Sequence, residues 1–212
     1  MIDLNGQDPV AEGTQRWIYR HPHDPARLLK VLKPLADSAG RSALATAIER
    51  QFPATRTRWA RKEYAEYTRV MLAHRAPVHL PISHLYGLAH TSRGLACVTD
   101  AVVENDALGP QLDRSLSDAD LALLNDTLTR LRQFDIRASD ITPRNFVFGQ
   151  RSLDGQTGPR ECVLVDGFGD IHAIPVRSWG QWFNGRALSQ SFANLARRLN
   201  LRWDATTQQI TR

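Results

Sequence analysis

The chain has 212 residues, of which 42% are hydrophobic and 23% charged, and it carries a formal net charge of +5. This composition supplies enough apolar residues for a buried core and excludes a disordered chain. No apolar run approaches the ~20 residues that a membrane span requires, and the first residues lack the pattern of a signal peptide. We therefore expect a cytoplasmic protein that has no membrane partner.

Positive charge in the chain is carried almost entirely by arginine. Only Lys30, Lys33 and Lys62 are lysines, and the other 24 of the 27 basic residues are arginines, which keep their proton at physiological pH. Basic residues concentrate in 41–75 and 177–212, a pattern that a nucleic-acid surface and a solvated surface both produce. Because no nucleic-acid-binding motif accompanies them, we favour the solvated surface and do not expect nucleic acid as a partner.

Apolar runs in the first half of the chain predict two β-hairpins. Residues 14–20 and 27–32 flank a turn that contains prolines, and two apolar runs within 82–103 flank a short polar segment. Between the hairpins, residues 41–52 and 57–75 have helical periodicity. The second of these helices has a single apolar stripe, which we expect to pack against a sheet.

The second half of the chain is predicted to be mainly helical. Ser117 precedes Asp120 by three residues, a spacing typical of a capping box, and leucines continue at helical spacing toward residue 134. The other predicted elements are β segments at 145–148 and 162–165, a Gly- and Pro-bearing loop at 149–160, and a helix at about 176–200. The two halves together predict an α+β protein.

Two segments place a carboxylate beside a β segment and are the candidates for a site. In the first, Asp140 and Asn145 lie five positions apart across a proline-containing loop that leads into a strand. In the second, an apolar strand ends at Asp166 and is followed by Gly167 and Gly169, which allow the backbone to turn sharply. We expect the two loops to face one cleft.

These residue types match the needs of phosphoryl transfer, which uses a carboxylate for the acceptor hydroxyl, oxygen ligands for Mg²⁺ and a fixed cation for the nucleotide phosphates. The order Asp-x-x-x-x-Asn followed by Asp-Gly-x-Gly resembles the catalytic loop and metal-binding turn of protein-kinase-like enzymes. Taken alone, Asp140 and Asn145 are better explained as turn-forming residues that bond to their own backbone. Their combination with Asp166 is what favours a functional site.

A kinase-like site also requires a lysine in an early strand. Lys30 lies within the apolar run 28–32 and is the favoured candidate. The alternative, Lys33, is followed directly by Pro34, so we expect it at the less ordered end of the strand.

The same kind of site requires a glutamate on the helix that follows the strand. On the predicted helix 57–75, Glu63 lies about 40° from the centre of the apolar stripe and Glu66 about 100° from it. We therefore expect Glu63 to face inward and pair with Lys30, and Glu66 to pair on the surface with Lys62 or Arg69. The alternative is that Lys30 and Glu63 form no pair and reach solvent through their long side chains.

The His-Pro-x-Asp-Pro turn at 21–25 and the Asp-Gly-Phe-Gly run at 166–169, together with the motifs above, resemble the YrbL family of PhoP-regulated bacterial proteins, a small branch related to protein kinases. The resemblance covers most of residues 10–175. It implies a protein-kinase-like two-lobed fold, with a β-rich N-terminal lobe over residues 1–103 and a shortened helical C-terminal lobe over residues 104–212.

The resemblance also implies roles for individual residues and the cofactors ATP and Mg²⁺. The expected partners are the nucleotide and an unidentified small-molecule or protein acceptor. The implied roles are nucleotide binding for Lys30, Glu63 and Gly13, with Glu63 orienting Lys30, catalysis for Asp140, and Mg²⁺ ligation for Asn145 and Asp166.

The sequence departs from typical protein kinases in ways that leave two functions open. No Gly-x-Gly-x-x-Gly surrounds Gly13, so the lid over the nucleotide phosphates is reduced, and Ala138-Ser139 precedes Asp140 where such kinases have His-Arg. About 40 residues follow Asp170, too few for a full peptide-binding lobe. The leading hypothesis is a phosphotransferase, and the alternative is a pseudokinase that serves as a nucleotide-binding or protein-interaction module.

Overall fold

The computed structural model shows an α+β protein with antiparallel sheets, in agreement with the predicted class. The predicted helix at 41–52 lies outside the described residues except for Gln51, and so does the start of the last predicted helix. The structure describes residues 1–13, 15–34, 51, 57–74, 78–153, 155–170 and 180–212, without the side chain of Trp59.

Helices occupy the described parts of the chain that have helical periodicity, and strands occupy the apolar runs. The helices are α1 (Arg58–Ala73), α2 (Asp118–Gln133) and α3 (Gln181–Arg198). The strands are β1 (Ala11–Glu12), β2 (Arg16–His21), β3 (Asp24–Leu32), β4 (Leu85–Thr91), β5 (Gly94–Asp100), β6 (Val102–Glu104), β7 (Ala107–Leu108), β8 (Phe146–Leu153), β9 (Gln156–Thr157), β10 (Glu161–Leu164), β11 (Arg202–Asp204) and β12 (Gln209–Thr211). The predicted hairpins and helices are thereby confirmed where they are described, whereas the β11–β12 hairpin was not predicted.

The N-terminal strands form a five-stranded sheet in the order β1-β2-β3-β5-β4. Successive side chains of β3 point to opposite faces of this sheet. Leu29 and Val31 belong to the buried apolar cluster on one face, so Lys30 lies on the other face, where its register partners are Ile18 on β2 and Cys97 on β5. The sheet therefore presents Lys30 on the face opposite its main apolar core.

A second sheet has the order β10-β8-β6-β7 and is held at one end by a buried arginine. Arg151 on β8 is 1% exposed. Its Nε donates to Glu161 Oε1 at 2.8 Å, and its Nη atoms donate to the carbonyls of Leu80 and Ile82 at 2.9 Å. His79 Nε2 lies 2.9 Å from both Glu161 carboxylate oxygens. These bonds tie the segment before β4 to strands β8 and β10.

Helix α2 begins with the capping box that the sequence predicts. Ser117 Oγ accepts the Asp120 N–H at 3.0 Å, and Asp120 Oδ2 accepts the Ser117 N–H at 3.4 Å. On the buried face of the helix, Thr127 Oγ1 donates to the Cys162 carbonyl of β10 at 2.6 Å. The helix therefore packs on the second sheet through apolar residues and one buried hydrogen bond.

The chain divides into two compact units. The first contains residues 1–60, 84–101 and 152–156, and the second contains residues 61–83, 102–151 and 157–212. The first unit holds the five-stranded sheet, and the second holds α2, α3 and α1 from Arg61 onward. The predicted lobes group all of α1 with the N-terminal strands, and that division stays a prediction. No helix in the described ranges has the length and apolar character needed to cross a membrane.

Candidate functional site

Two turn segments of the second unit meet at Gly167. The Ser139 and Asp140 N–H groups donate to the Gly167 carbonyl at 3.0 and 3.1 Å. Gly167 has φ of +82°, and a Cβ at this position would lie 2.6 Å from the Asp140 carbonyl oxygen and 2.9 Å from Asn145 Nδ2. Glycine is therefore required both by the backbone conformation and by the close approach of the two segments. The contact brings the segments that carry Asp140, Asn145 and Asp166 together.

Asn145 is buried at the end of a short 3₁₀ turn, Pro143–Asn145. Its side-chain Nδ2 donates to the Asp140 backbone carbonyl at 2.8 Å. The Asn145 backbone carbonyl accepts the Val165 N–H at 2.8 Å. Because the amide nitrogen is bonded to a carbonyl, the orientation of the carboxamide is fixed. Its oxygen, the atom that a cation would use, faces away from that carbonyl.

The two candidate carboxylates are partly accessible. The Asp140 side chain is 30% exposed, and its Oδ2 lies 3.4 Å from Arg144 Nη2. Asp166 is half-buried, and its Oδ1 accepts the Gly167 N–H at 2.7 Å. A carboxylate has about four acceptor sites, and this bond uses one of them.

Helix α1 contacts the segment that follows Asp166. Gly169 has φ of +98°, and a Cβ there would lie 2.8 Å from the Lys62 carbonyl oxygen. The Gly169 N–H donates to the Arg137 carbonyl at 2.7 Å, and Lys62 Nζ donates to the Asp170 carbonyl. The Asp-Gly-Phe-Gly-Asp segment is thus packed between α1 and the strand-like segment before Asp140.

Both glutamates on the inner side of α1 are buried, which confirms one prediction and corrects another. Glu63 is 3% exposed, as predicted. Glu66 was expected on the surface, but it is also 3% exposed. Glu66 does pair with Arg69, whose Nη2 donates to Glu66 Oε1 at 2.6 Å. The same oxygen also accepts the Arg137 N–H at 2.7 Å. The hydrogen bond with Glu66 raises the pKa of Arg69 above its ordinary value.

The surface expectation for Glu66 was wrong because the helical-wheel angle measures only the distance from one apolar stripe. The chain around residues 135–137 covers α1 beside that stripe, and it brings the Arg137 N–H and the Asp135 carbonyl to the Glu66–Arg69 pair. A polar contact of this kind leaves no apolar periodicity. Sequence reasoning therefore missed both the burial of Glu66 and the role of Arg137.

The other predicted site residues lie in the first unit. Lys30 is within β3 and 6% exposed. Lys33 directly follows the last residue of that strand, as predicted, but it is buried, its N–H donates to the Gln15 carbonyl at 2.9 Å and its Nζ donates to Glu12. Gly13 lies in the turn between β1 and β2, where its N–H donates to the Arg16 carbonyl at 2.8 Å. The predicted convergence of Lys30 and Gly13 with the residues of the second unit stays a prediction.

The residues around Gly167 fit a magnesium ion better than a metal that requires an all-protein cage. In the described residues, no three His, Cys, Asp or Glu side chains form a cluster suited to a metal ion. Mg²⁺ is usually bound through one or two carboxylates and takes its remaining ligands from water and substrate phosphates. One carboxylate from Asp166 and one carboxamide oxygen from Asn145 are consistent with that mode of binding.

Similarity to known proteins extends over both units. A family model described as PhoP regulatory network protein YrbL matches residues 2–200. The chain belongs to this family. Its relatives include the uncharacterized protein YrbL of Escherichia coli strain K12, which is 24% identical over 191 residues, 86% of this chain and 80% of the relative. The uncharacterized protein YrbL of Shigella flexneri has the same identity and coverage. The YrbL match contains all six residues to which the sequence assigns a role.

Proposed function

We propose that this protein is a kinase-like, ATP- and Mg²⁺-dependent phosphotransferase that acts on a hydroxyl acceptor or on a regulatory partner. The observation that carries the proposal is the hydrogen-bonded set around Gly167, which joins Asp140, Asn145 and Asp166. Enzymes of phosphoryl transfer work mainly by positioning and by stabilising charge. A carboxylate and two oxygen ligands, held by backbone contacts, are the groups that this chemistry needs.

In this proposal Asp140 orients the acceptor hydroxyl and takes its proton. The side chain is 30% exposed, so an acceptor can reach the carboxylate from solvent. Arg144 Nη2 lies 3.4 Å from Asp140 Oδ2 and places a positive charge beside this carboxylate. A positioned carboxylate of this kind contributes about 10²- to 10⁴-fold to a proton-transfer step.

Asn145 and Asp166 would hold Mg²⁺ through the carboxamide oxygen and a carboxylate oxygen. When bound, the ion would supply positive charge that offsets the negative charge of the nucleotide phosphates. The fixed carboxamide of Asn145 means that its oxygen needs no reorganisation to serve as a ligand. The Gly167 N–H bond to Asp166 Oδ1 holds the second ligand in a similar way.

Nucleotide binding by Lys30, Glu63 and Gly13 is the second part of the proposal. In a kinase-like two-lobed fold, the strand lysine binds nucleotide phosphates and the helix glutamate orients it. The α+β class, the five-stranded antiparallel sheet that carries Lys30, and membership of the YrbL family are compatible with such a fold. The burial of both Lys30 and Glu63 argues against the alternative that they simply reach solvent.

A pseudokinase is the second candidate function. It is favoured by the turn between β1 and β2, where Gly13 is the only glycine between Ala11 and His21 and β1 has only two residues. The sequence around Gly13 therefore lacks the Gly-x-Gly-x-x-Gly loop with which protein kinases cover the nucleotide phosphates.

Calorimetric titration of Mg·ATP tests the proposed metal ligand. We expect Asp166→Ala to abolish Mg·ATP binding while the free energy of unfolding stays within about 1 kcal/mol of the wild type. Asp126→Ala is the matched control, since it removes the same charge from an exposed position of the same unit. Unchanged Mg·ATP binding by Asp166→Ala contradicts the assignment.

Release of labelled phosphate from γ-labelled ATP separates the two candidate functions. For a phosphotransferase, we expect slow release to water by the wild type and at least a 100-fold loss in Asp140→Ala, with Mg·ATP affinity retained. Binding without any Asp140-dependent release identifies a pseudokinase.

A further inference from the structure

Glu66 forms a buried polar network on the inner side of α1. Its Oε1 accepts from Arg69 Nη2 at 2.6 Å and from the Arg137 N–H at 2.7 Å, and its Oε2 accepts from Arg69 Nε at 3.1 Å. Arg69 Nη2 also donates to the Asp135 carbonyl at 2.6 Å. With Glu66 only 3% exposed, these bonds are protected from competition by water.

The hydrogen bond to Arg137 connects Glu66 to both turns of the candidate site. The carbonyl of Arg137 accepts the Gly169 N–H at 2.7 Å, and Ser139 Oγ donates to the Gly169 carbonyl at 2.8 Å. The next step is the pair of bonds from the Ser139 and Asp140 N–H groups to Gly167. One side chain of α1 therefore fixes the segment before Asp140, and that segment fixes the turn after Asp166.

We propose that Glu66 is a positioning residue that sets the relative placement of Asp140 and Asp166, so that the geometry of the metal ligands depends on α1. The inference rests on the proposed Mg·ATP binding. Loss of the carboxylate leaves the Arg137 N–H without its acceptor and leaves Arg69 with the Asp135 carbonyl but without Glu66, which displaces the 135–140 segment. Outer residues that orient metal ligands typically change metal affinity by 10- to 100-fold.

The test compares ATP affinity with and without Mg²⁺ in Glu66→Ala, Glu66→Gln and Glu161→Gln. We expect Glu66→Ala to reduce the Mg²⁺-dependent gain in ATP affinity about tenfold and to leave metal-free ATP affinity unchanged. Glu66→Gln keeps an oxygen for the Arg137 N–H, so a smaller loss is expected, and this variant decides the matter if Glu66→Ala does not fold. Glu161→Gln removes another buried, arginine-bound carboxylate and should lower stability without changing the Mg²⁺-dependent gain.

Amide hydrogen exchange provides a second measurement that does not depend on nucleotide binding. Exchange at Arg137, Ser139 and Gly169 should be faster in Glu66→Ala and unchanged in Glu161→Gln. Unchanged exchange in Glu66→Ala overturns the inference.

The two proposals fail in different ways. A wild-type protein whose ATP affinity does not depend on Mg²⁺ overturns the proposed function, and the role of Glu66 falls with it. A Mg²⁺-dependent wild type with the same gain in Glu66→Ala overturns the role of Glu66 alone.

Discussion

Replacing Gly167 with alanine tests the close approach of the two turns that carry Asp140 and Asp166. The backbone at Gly167 has φ of +82°, and a non-glycine residue in this region costs about 1–2 kcal/mol. The added Cβ would lie 2.6 Å from the Asp140 carbonyl oxygen and 2.8 Å from Asp140 Cβ. Because backbone atoms cannot move aside as a flexible side chain can, overpacking adds about 1–3 kcal/mol. We expect Gly167→Ala to lower the free energy of unfolding by about 3 kcal/mol.

Urea titration of Gly167→Ala and Gly155→Ala separates the two contributions. Gly155 has φ of +76°, and in the described part of the chain a Cβ there has no neighbour within 4 Å. Gly155→Ala is therefore expected to lower the free energy of unfolding by about 1 kcal/mol, from the unfavourable backbone conformation alone. Mg·ATP binding should weaken only in Gly167→Ala. Equal losses of stability in the two variants would refute the close approach of the turns.

Two further variants test contacts outside the site. Burial alone would raise the pKa of Glu161, but hydrogen bonds from His79 and Arg151 outweigh burial and lower it from 4.5 to about 2. A lowered pKa means that the carboxylate stabilises the fold above pH 4.5 and that this stabilisation is lost as the pH falls toward 2. Urea titrations should therefore show Glu161→Gln to be about 3 kcal/mol less stable than wild type at neutral pH, with a gap that narrows through this acidic range; a gap independent of pH contradicts the ion-pair reasoning. Removing the capping box with Ser117→Ala should cost about 1 kcal/mol in thermal or urea unfolding, and no loss would show that Asp120 alone satisfies the helix start.

The sequence predicts the elements whose signals are local. The helix from Ser117 follows from a cap and a leucine pattern within 18 residues, and β8 and β10 each contain an apolar run. The predicted loop at 149–160 is different, because β8 continues to Leu153. Gly149 suggests a turn, but it lies within β8. Glycine is needed there because β6 comes so close that a Cβ would lie 2.5 Å from the Val103 carbonyl oxygen. Contact with a residue so distant in sequence gives a glycine no local signature.

The meeting of Asp140, Asn145 and Asp166 could be predicted for a physical reason. Asn145 directly precedes β8, and Asp166 lies two positions after β10. Because β8 and β10 pair as antiparallel strands, the end of β10 lies beside the start of β8, and Asp166 comes close to Asn145. The hydrogen bond from the Val165 N–H to the Asn145 carbonyl extends this pairing by one step. A hairpin therefore guarantees the proximity of its two ends. It does not determine which groups form hydrogen bonds there, such as those to the Gly167 carbonyl.

The burial of Glu66 could not be predicted, because the Arg137 N–H that it accepts lies 71 residues away in sequence. A buried carboxylate needs compensating donors, and here one donor is a backbone N–H, which every residue except proline has. No feature of residue type at Arg137 therefore marks the contact. Glu63 and Glu66 are nearly one helical turn apart, and burial of both means that α1 is covered on a wider arc than its apolar stripe. The extra arc is polar and leads by hydrogen bonds to Gly169 and Gly167. This is the reason to expect that a change on α1 is felt at the turns of Asp140 and Asp166 rather than only in the stability of the helix.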